Sequence, residues 1–257
     1  MIRELNHVGI RVADLDVSLR LYRDILGGVV IKDAQTADGA MRVVYVQLAN
    51  GVVELVSNKV AGDFGLHHIA FLLADDVDIN HAAERVRDAG YTIVVEPKPA
   101  TTAGFHCFFT DVGGCMYELI QREDSFRIEG LSSKNERIKC LDHISIRVDN
   151  TTVGNVDALL KDVLGMGEGR KMEIGPYLWH SRRIGADSIG LFNTLEQARP
   201  DKTLALLVFD VYDTHDMHRH LTEYGIEVTE PRAAGIGDFH LIFATGPDGE
   251  RLEFLDR

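Results

Sequence analysis

Two histidines stand side by side in GLHHIAF, residues 65–71, at the start of an apolar run. Histidine and the carboxylates are the side chains that ligate borderline divalent cations and move protons near neutral pH. Neighbouring side chains leave a strand on opposite faces, so His67 and His68 cannot both enter one site. A third histidine stands in LNHVGIRV, residues 5–12, where His7 shares a row with Gly9 and Arg11. Val8, Ile10 and Val12 form the opposite, apolar row. In GLHHIAF the same alternation groups His68 with Ala70, and His67 with Ile69 and Phe71. His7 and His68 therefore each stand beside a very small residue, which leaves room for a ligand where a packed core would prefer bulk. Carboxylates also occur inside apolar runs: VELVS holds Glu54 and MYELIQ holds Glu118.

These residues belong to a repeat. LNHVGIRVADLD at 5–16 is similar to LDHISIRVDNTT at 141–152, and GFHCFFTDVGGCMYELIQR at 104–122 to DFHLIFATGPDGERLEFLDR at 238–257. The charged stretch QREDSFRIEGLSSKNERIK, 121–139, lacks apolar periodicity and reads as a linker. The halves are therefore placed at 1–124 and 138–257. Each half divides again, into modules at about 1–60, 64–122, 140–196 and 202–257, all with the order βαβββ. In the first, DLDVSLRLYRDILGG offers Asp16 as a cap, Val17, Leu21 and Ile25 at helical spacing, and a glycine stop. In the others, DINHAAERVRDAG, NVDALLKDVLG and HDMHRHLTEYG are the helices.

Composition narrows the function. Among 257 residues, 45% are hydrophobic, enough for a substantial core, and the formal net charge is -13. That charge excludes nonspecific nucleic-acid binding, which needs a basic surface, and argues against an anionic membrane as partner. No apolar run is long enough to span a bilayer, and MIRELNHVGI does not read as a signal peptide. Three cysteines without CxxC spacing fit a reducing compartment, so a cytoplasmic location is expected.

A tandem of βαβββ modules with histidine on opening strands and glutamate on closing strands resembles the vicinal oxygen chelate superfamily, which includes glyoxalase I, methylmalonyl-CoA epimerase and extradiol dioxygenases. NHVGIRV, LYRDILGG, VELVS, HHIAF, YELIQ and DAGYTIVVEPKP carry the resemblance, and they make the first half closest to the glyoxalase and epimerase branch. The resemblance implies an α+β fold, with four modules in two tandem glyoxalase-like domains whose mixed sheets curl around an open cavity. It implies one divalent ion, Zn, Ni, Co, Mn or Fe, held by His7, Glu54, His68 and Glu118, with His67 on the other face. It also implies a small-molecule substrate, and a homodimer is common in the family. In the second half His143 and Glu253 match His7 and Glu118, but Gly190 and an apolar residue near Leu204 stand where the first half has Glu54 and His68, so that site is degraded. Other module pairings would instead group His68, Glu118 and His143, or His7, Glu54 and Glu253.

The expected chemistry is proton abstraction next to a carbonyl by an isomerase, epimerase or lyase, with Glu118, then Glu54, as base. An Fe(II) ring-cleaving dioxygenase and a non-catalytic small-molecule binding protein are the alternatives. The epimerase-like base on the second strand has no clear match, since only Asp33 or Gln35 is available there. Further polar residues on or near the cavity strands are Arg11, Tyr45, Gln47, Tyr117, His106 and His240. On the last helix His215 and His218 share a face at i, i+3, with His220 nearby, and read as a solvated surface.

Overall fold

The computed structural model describes residues 1–58, 62–174, 177–193, 204–235 and 237–257. The module boundaries near 60 and between 196 and 202 lie outside the described residues. The element order is the predicted βαβββ, four times. Module one has β1 (Ile2–Arg11), α1 (Leu15–Leu19), β2 (Val29–Gln35), β3 (Met41–Leu48) and β4 (Gly51–Asn58). Module two has β5 (Gly65–Leu73), α2 (Ile79–Asp88), β6 (Thr92–Pro99), β7 (Phe105–Thr110) and β8 (Met116–Gln121). Module three has β9 (Ile138–Val148), α3 (Val153–Ala158), β10 (Gly167–Ile174), β11 (Tyr177–Ile184) and β12 (Asp187–Asn193). Module four has β13 (Leu204–Val211), α4 (Thr214–Glu223), β14 (Arg232–Ala233), β15 (His240–Thr245) and β16 (Arg251–Leu255).

The strands form two eight-stranded mixed sheets of identical topology, β2-β3-β4-β1-β5-β8-β7-β6 and β10-β11-β12-β9-β13-β16-β15-β14. The opening and closing strands of a module run parallel, as in β5 with β8 and β9 with β12, and the other recorded ladders are antiparallel. The edge strands β2, β6 and β10 carry register shifts, irregularities that discourage further strand addition. Among the described residues, no helix is long and apolar enough to cross a membrane.

The chain also folds into two compact units that do not follow the halves. One comprises Met1–Val8, His68–Ser125 and Ile144–Ala205, and the other Gly9–His67, Phe126–His143 and Leu206–Arg257. Within the first, the Tyr91 hydroxyl donates to the carbonyl of Asn155 and Arg85 to that of Asp162. Within the second, Tyr22 donates to Glu250, Ser18 to Asp248, and His220 to the carbonyl of Ile25.

Two details of the first helix correct the sequence reading. The cap is Asp14, not Asp16: its carboxylate accepts from the amides of Asp16 and Val17. Asp16 lies instead in the first turn, where a negative charge suits the helix dipole. Val17 is 48% exposed, whereas Leu15, Leu19, Leu21, Tyr22 and Ile25 are buried. Val17 stands off the α-helical face formed by Leu15, Ser18 and Leu19, and the helix widens to π geometry only after it, over Arg20–Ile25. Gly27, at φ 75°, ends it.

In the first unit, α2 lies against β6, β7 and β8. Phe71, Tyr117 and Phe109 stack beside one another at centroid separations of 6.3 and 5.2 Å. The Tyr117 hydroxyl donates to Asp111, which also caps the turn before β8. This is the row opposite Glu118, so Tyr117 serves packing and not the cavity. Phe71→Ala is expected to cost about 3–5 kcal/mol, as large aromatic truncations in close-packed cores do. A fall in the urea midpoint with an unchanged m-value checks it.

Candidate metal centre

Strand register assembles the site. On β5, His68 and Ala70 point to one face, and Ala70 lies opposite Glu118 of the parallel neighbour β8. On the other side of β8, Phe108 of β7 lies opposite Glu118, and His106 opposite Ile120. The small Ala70 leaves the Glu118 carboxylate its space, with Leu72 and Ile120 forming the apolar cluster beside it. His7 comes from β1. His7, His68 and Glu118 are 0%, 3% and 5% exposed.

Their donor atoms converge. His7 Nε2 lies 3.2 Å from His68 Nε2, and Glu118 Oε2 lies 3.2 Å from the first and 3.3 Å from the second. Donors held about 2.1 Å from one divalent ion are spaced about 3.0–3.4 Å apart, so the triangle has the size such an ion requires. Glu118 Oε2 is buried and makes no well-directed hydrogen bond despite these short separations. Oε2 thus faces the two Nε2 atoms without a directed bond to either, while the two imidazoles are within hydrogen-bonding reach of each other. Among the described residues this is the group of His, Cys, Asp and Glu placed to hold a metal ion. Two imidazoles and a carboxylate suit a borderline divalent cation.

The surroundings fix each ligand. His7 Nδ1 lies 2.9 Å from Asn6 Oδ1 and donates to it, since an amide oxygen only accepts, leaving the Nε2 lone pair for a ligand. Asn6 Oδ1 also accepts from Arg122 at 2.6 Å, while its amide nitrogen donates to Glu4 and to the carbonyl of Ser125. Glu118 Oε1 accepts from His106 Nδ1 at 2.9 Å. Phe108 packs edge-on against both His68 and His106, at 5.1 and 5.2 Å. Burial by itself raises the Glu118 carboxyl, but hydrogen bonding by His106 and the approach of His68 and His7 outweigh it and hold the group well below the usual carboxylate range. It is therefore an anion at neutral pH.

The other predicted residues fall as follows. Glu54, on β4, is buried, pairs in register with Tyr45, and is not one of the three grouped residues. His67 and His143 are likewise outside the group. Gln47 is bound to both backbone groups of Ile128 in the linker, and Asp33 is paired with Arg42. His240 and His215 are edge-to-face neighbours at 5.6 Å, and His218 lies 3.7 Å from Glu230. The cysteines are free thiols, and burial pushes Cys107 up to about 11, so it is no nucleophile at neutral pH. Asn6 and Arg122 were missed, although a polar residue precedes the histidine in both LNH and LDH. In the second half Asp142 holds His143 Nδ1 at 2.7 Å, repeating the arrangement.

A model of the glyoxalase/bleomycin resistance protein/dioxygenase superfamily matches residues 4–119. The ethylmalonyl-CoA/methylmalonyl-CoA epimerase of Cereibacter sphaeroides is 32% identical over 136 residues, 47% of this chain and 99% of that protein. The chain belongs to the glyoxalase/bleomycin resistance protein/dioxygenase superfamily. The superfamily includes enzymes acting on small molecules, among them epimerases, lyases and dioxygenases. Two solved structures share the fold over nearly the whole chain. The Mn(II)-bound glyoxalase of Novosphingobium aromaticivorans has a TM-score of 0.70 at 19% identity, covering 99% of this chain and 82% of its own. An extradiol ring-cleaving dioxygenase from B. fuscum has a TM-score of 0.71 at 18% identity, covering 100% and 72%.

The ladder position of Glu118 is taken in the second half by Glu253, and its state differs. Burial, then the nearby Asp142 charge, pushes Glu253 up to about 7, against partial relief from Arg232 and Arg251. The folded state therefore holds this proton more tightly than the unfolded chain. The associated stability is present below the ordinary carboxyl range and is lost as pH rises to about 7, a total of about 3 kcal/mol. Glu253→Gln is expected to flatten this part of the profile and to leave the protein more stable than the parent at pH 8. Denaturant unfolding at pH 5 and pH 8 measures both.

Proposed function

We propose that the protein is a divalent-metal enzyme that transfers a proton at a carbon next to a carbonyl, an epimerase, isomerase or lyase acting on a small oxygenated substrate. The convergence of His7 Nε2, His68 Nε2 and Glu118 Oε2 on one buried point carries this reading. Kinship to an acyl-CoA epimerase supports a thioester or similarly activated carbonyl compound as substrate. The halves 1–124 and 138–257 are taken as two glyoxalase-like domains, with the metal site in the first.

A divalent ion bound by these residues supplies positive charge that stabilises negative charge developing on substrate oxygens. The chain's own groups do the rest. His7 and His68 offer neutral lone pairs, with the His7 tautomer set by Asn6. Glu118 supplies the compensating negative charge. The proton leaving carbon passes to a carboxylate, with Glu118 first and Glu54 second in line. Glu54 is also the proposed fourth ligand, on the strength of the repeat.

Deuterium incorporation in D2O tests the reading. Metal-loaded protein is expected to exchange the hydrogen next to the carbonyl of methylmalonyl-CoA or ethylmalonyl-CoA, and a chelator to abolish the exchange. Glu118→Gln and Glu54→Gln then separate base from ligand. Loss of exchange by about 10²–10⁴-fold with metal retained marks the base, and loss of metal marks a ligand. No exchange with these thioesters or with hemithioacetals, in metal-replete protein, overturns the proposal.

The two-histidine, one-carboxylate group favours a second reading, Fe(II)-dependent ring cleavage of a catechol. Oxygen uptake with catechols by the iron-loaded protein, without deuterium exchange on thioesters, decides for it.

A further inference from the structure

We propose that His106 is a positioning residue that restricts Glu118 to coordination through a single oxygen. The proposal rests on the metal-centre reading above and deepens it. A carboxylate offers two oxygens, and an ion near it can take one or both. Here the two are assigned differently. Oε2 lies with His7 Nε2 and His68 Nε2 at 3.2 and 3.3 Å, whereas Oε1 accepts the Nδ1–H of His106 at 2.9 Å.

The arrangement is built into the sheet. His106 lies on β7, two residues from Phe108, which is opposite Glu118 in the antiparallel ladder. That diagonal places His106 on the same face as the carboxylate, within reach of its outer oxygen. The Phe108 ring stands edge-on to the imidazoles of both His106 and His68, at 5.2 and 5.1 Å. One aromatic side chain therefore fixes the orientation of a ligand and of the residue that orients another ligand. The His106 side chain is 18% exposed and its Nε2 is buried without a hydrogen-bond partner, so the Glu118 contact is the ring's polar anchor. With Oε1 withheld, Glu118 would offer a bound ion one donor, which would leave more positions for the oxygens of a substrate. The same ladder position in module four carries Leu241, which has no donor, while His240 beside it is 47% exposed at its side chain and faces Asp256, so the device is specific to the half that keeps its ligands.

Cobalt(II) titration of the full-length protein, freed of metal with a chelator, tests this without reference to activity. Wild type is expected to take up about one Co(II) and to show a visible ligand-field spectrum. His106→Phe removes the donor but keeps an aromatic ring. It is expected to bind Co(II) about 10–100-fold more weakly and to change the intensity of the visible bands as Glu118 becomes free to chelate. His106→Asn, whose amide nitrogen replaces Nδ1 as donor, is expected to restore the spectrum and most of the affinity. Should His106→Phe not fold, His106→Ala is read in the same way. A wild-type spectrum and affinity in a folded donor-less variant overturns the positioning role while leaving the metal centre intact. Absence of Co(II) binding by wild type overturns the metal centre, and this proposal with it.

Discussion

The structure turns on a buried negative charge. Glu118 is 5% exposed, and an ionised carboxylate out of water is costly unless other groups compensate it. Here His106 donates to Oε1, and a cation shared with His7 and His68 would balance the charge at Oε2. Their orientations are constrained in turn: His7 by Asn6, itself held by Arg122, and His68 and His106 by the edge of Phe108. Removing any one imidazole leaves a charge or a donor without its match. The polar cluster thus ties β1, β5, β7 and β8 to one registration, in addition to whatever ion it binds.

The duplicated half shows what happens when that compensation is lost. The second sheet repeats the strand order of the first, and Asp142 holds His143 as Asn6 holds His7. Yet the position of His68 is apolar there, and the carboxyl corresponding to Glu118 is no longer held low. Glu253 is pushed up to about 7, a change of opposite sign at equivalent strand positions. Retaining the fold while losing two of the three imidazoles accompanies the change from a carboxylate held low to a carboxyl that titrates near neutrality. Backbone topology is evidently insensitive to this exchange, since ladders and helix packing use the opposite, apolar rows.

Much of this was legible along the chain. The four modules follow from switches between periods of 2 and 3.6, which are local properties of sequence. His68 could be preferred over His67 because of Ala70, and the repeat then aligned the glutamates. The cap reads as Asp16 because DLD offers two aspartates to the same helix start, and Val17 reads as part of the buried stripe although the face is set by Leu15, Ser18 and Leu19. His106 stood out only through the Phe-His pair it shares with His240, whereas the ladders match it with Leu241. Its contact with Glu118 depends on which residues of β7 and β8 stand opposite each other, and a slip of one residue would turn it to the other face.

The sequence by itself therefore determined the modules, the apolar rows and the types of donor available on each strand. Only the tertiary structure decided that His7, His68 and Glu118 meet within 3.3 Å while one oxygen of Glu118 is kept for His106. The reason is one of scale. Periodicity assigns a side chain to a face, but ligation requires donors placed to tenths of an ångström, and that placement comes from register between strands far apart in the chain and from the rings packed around them.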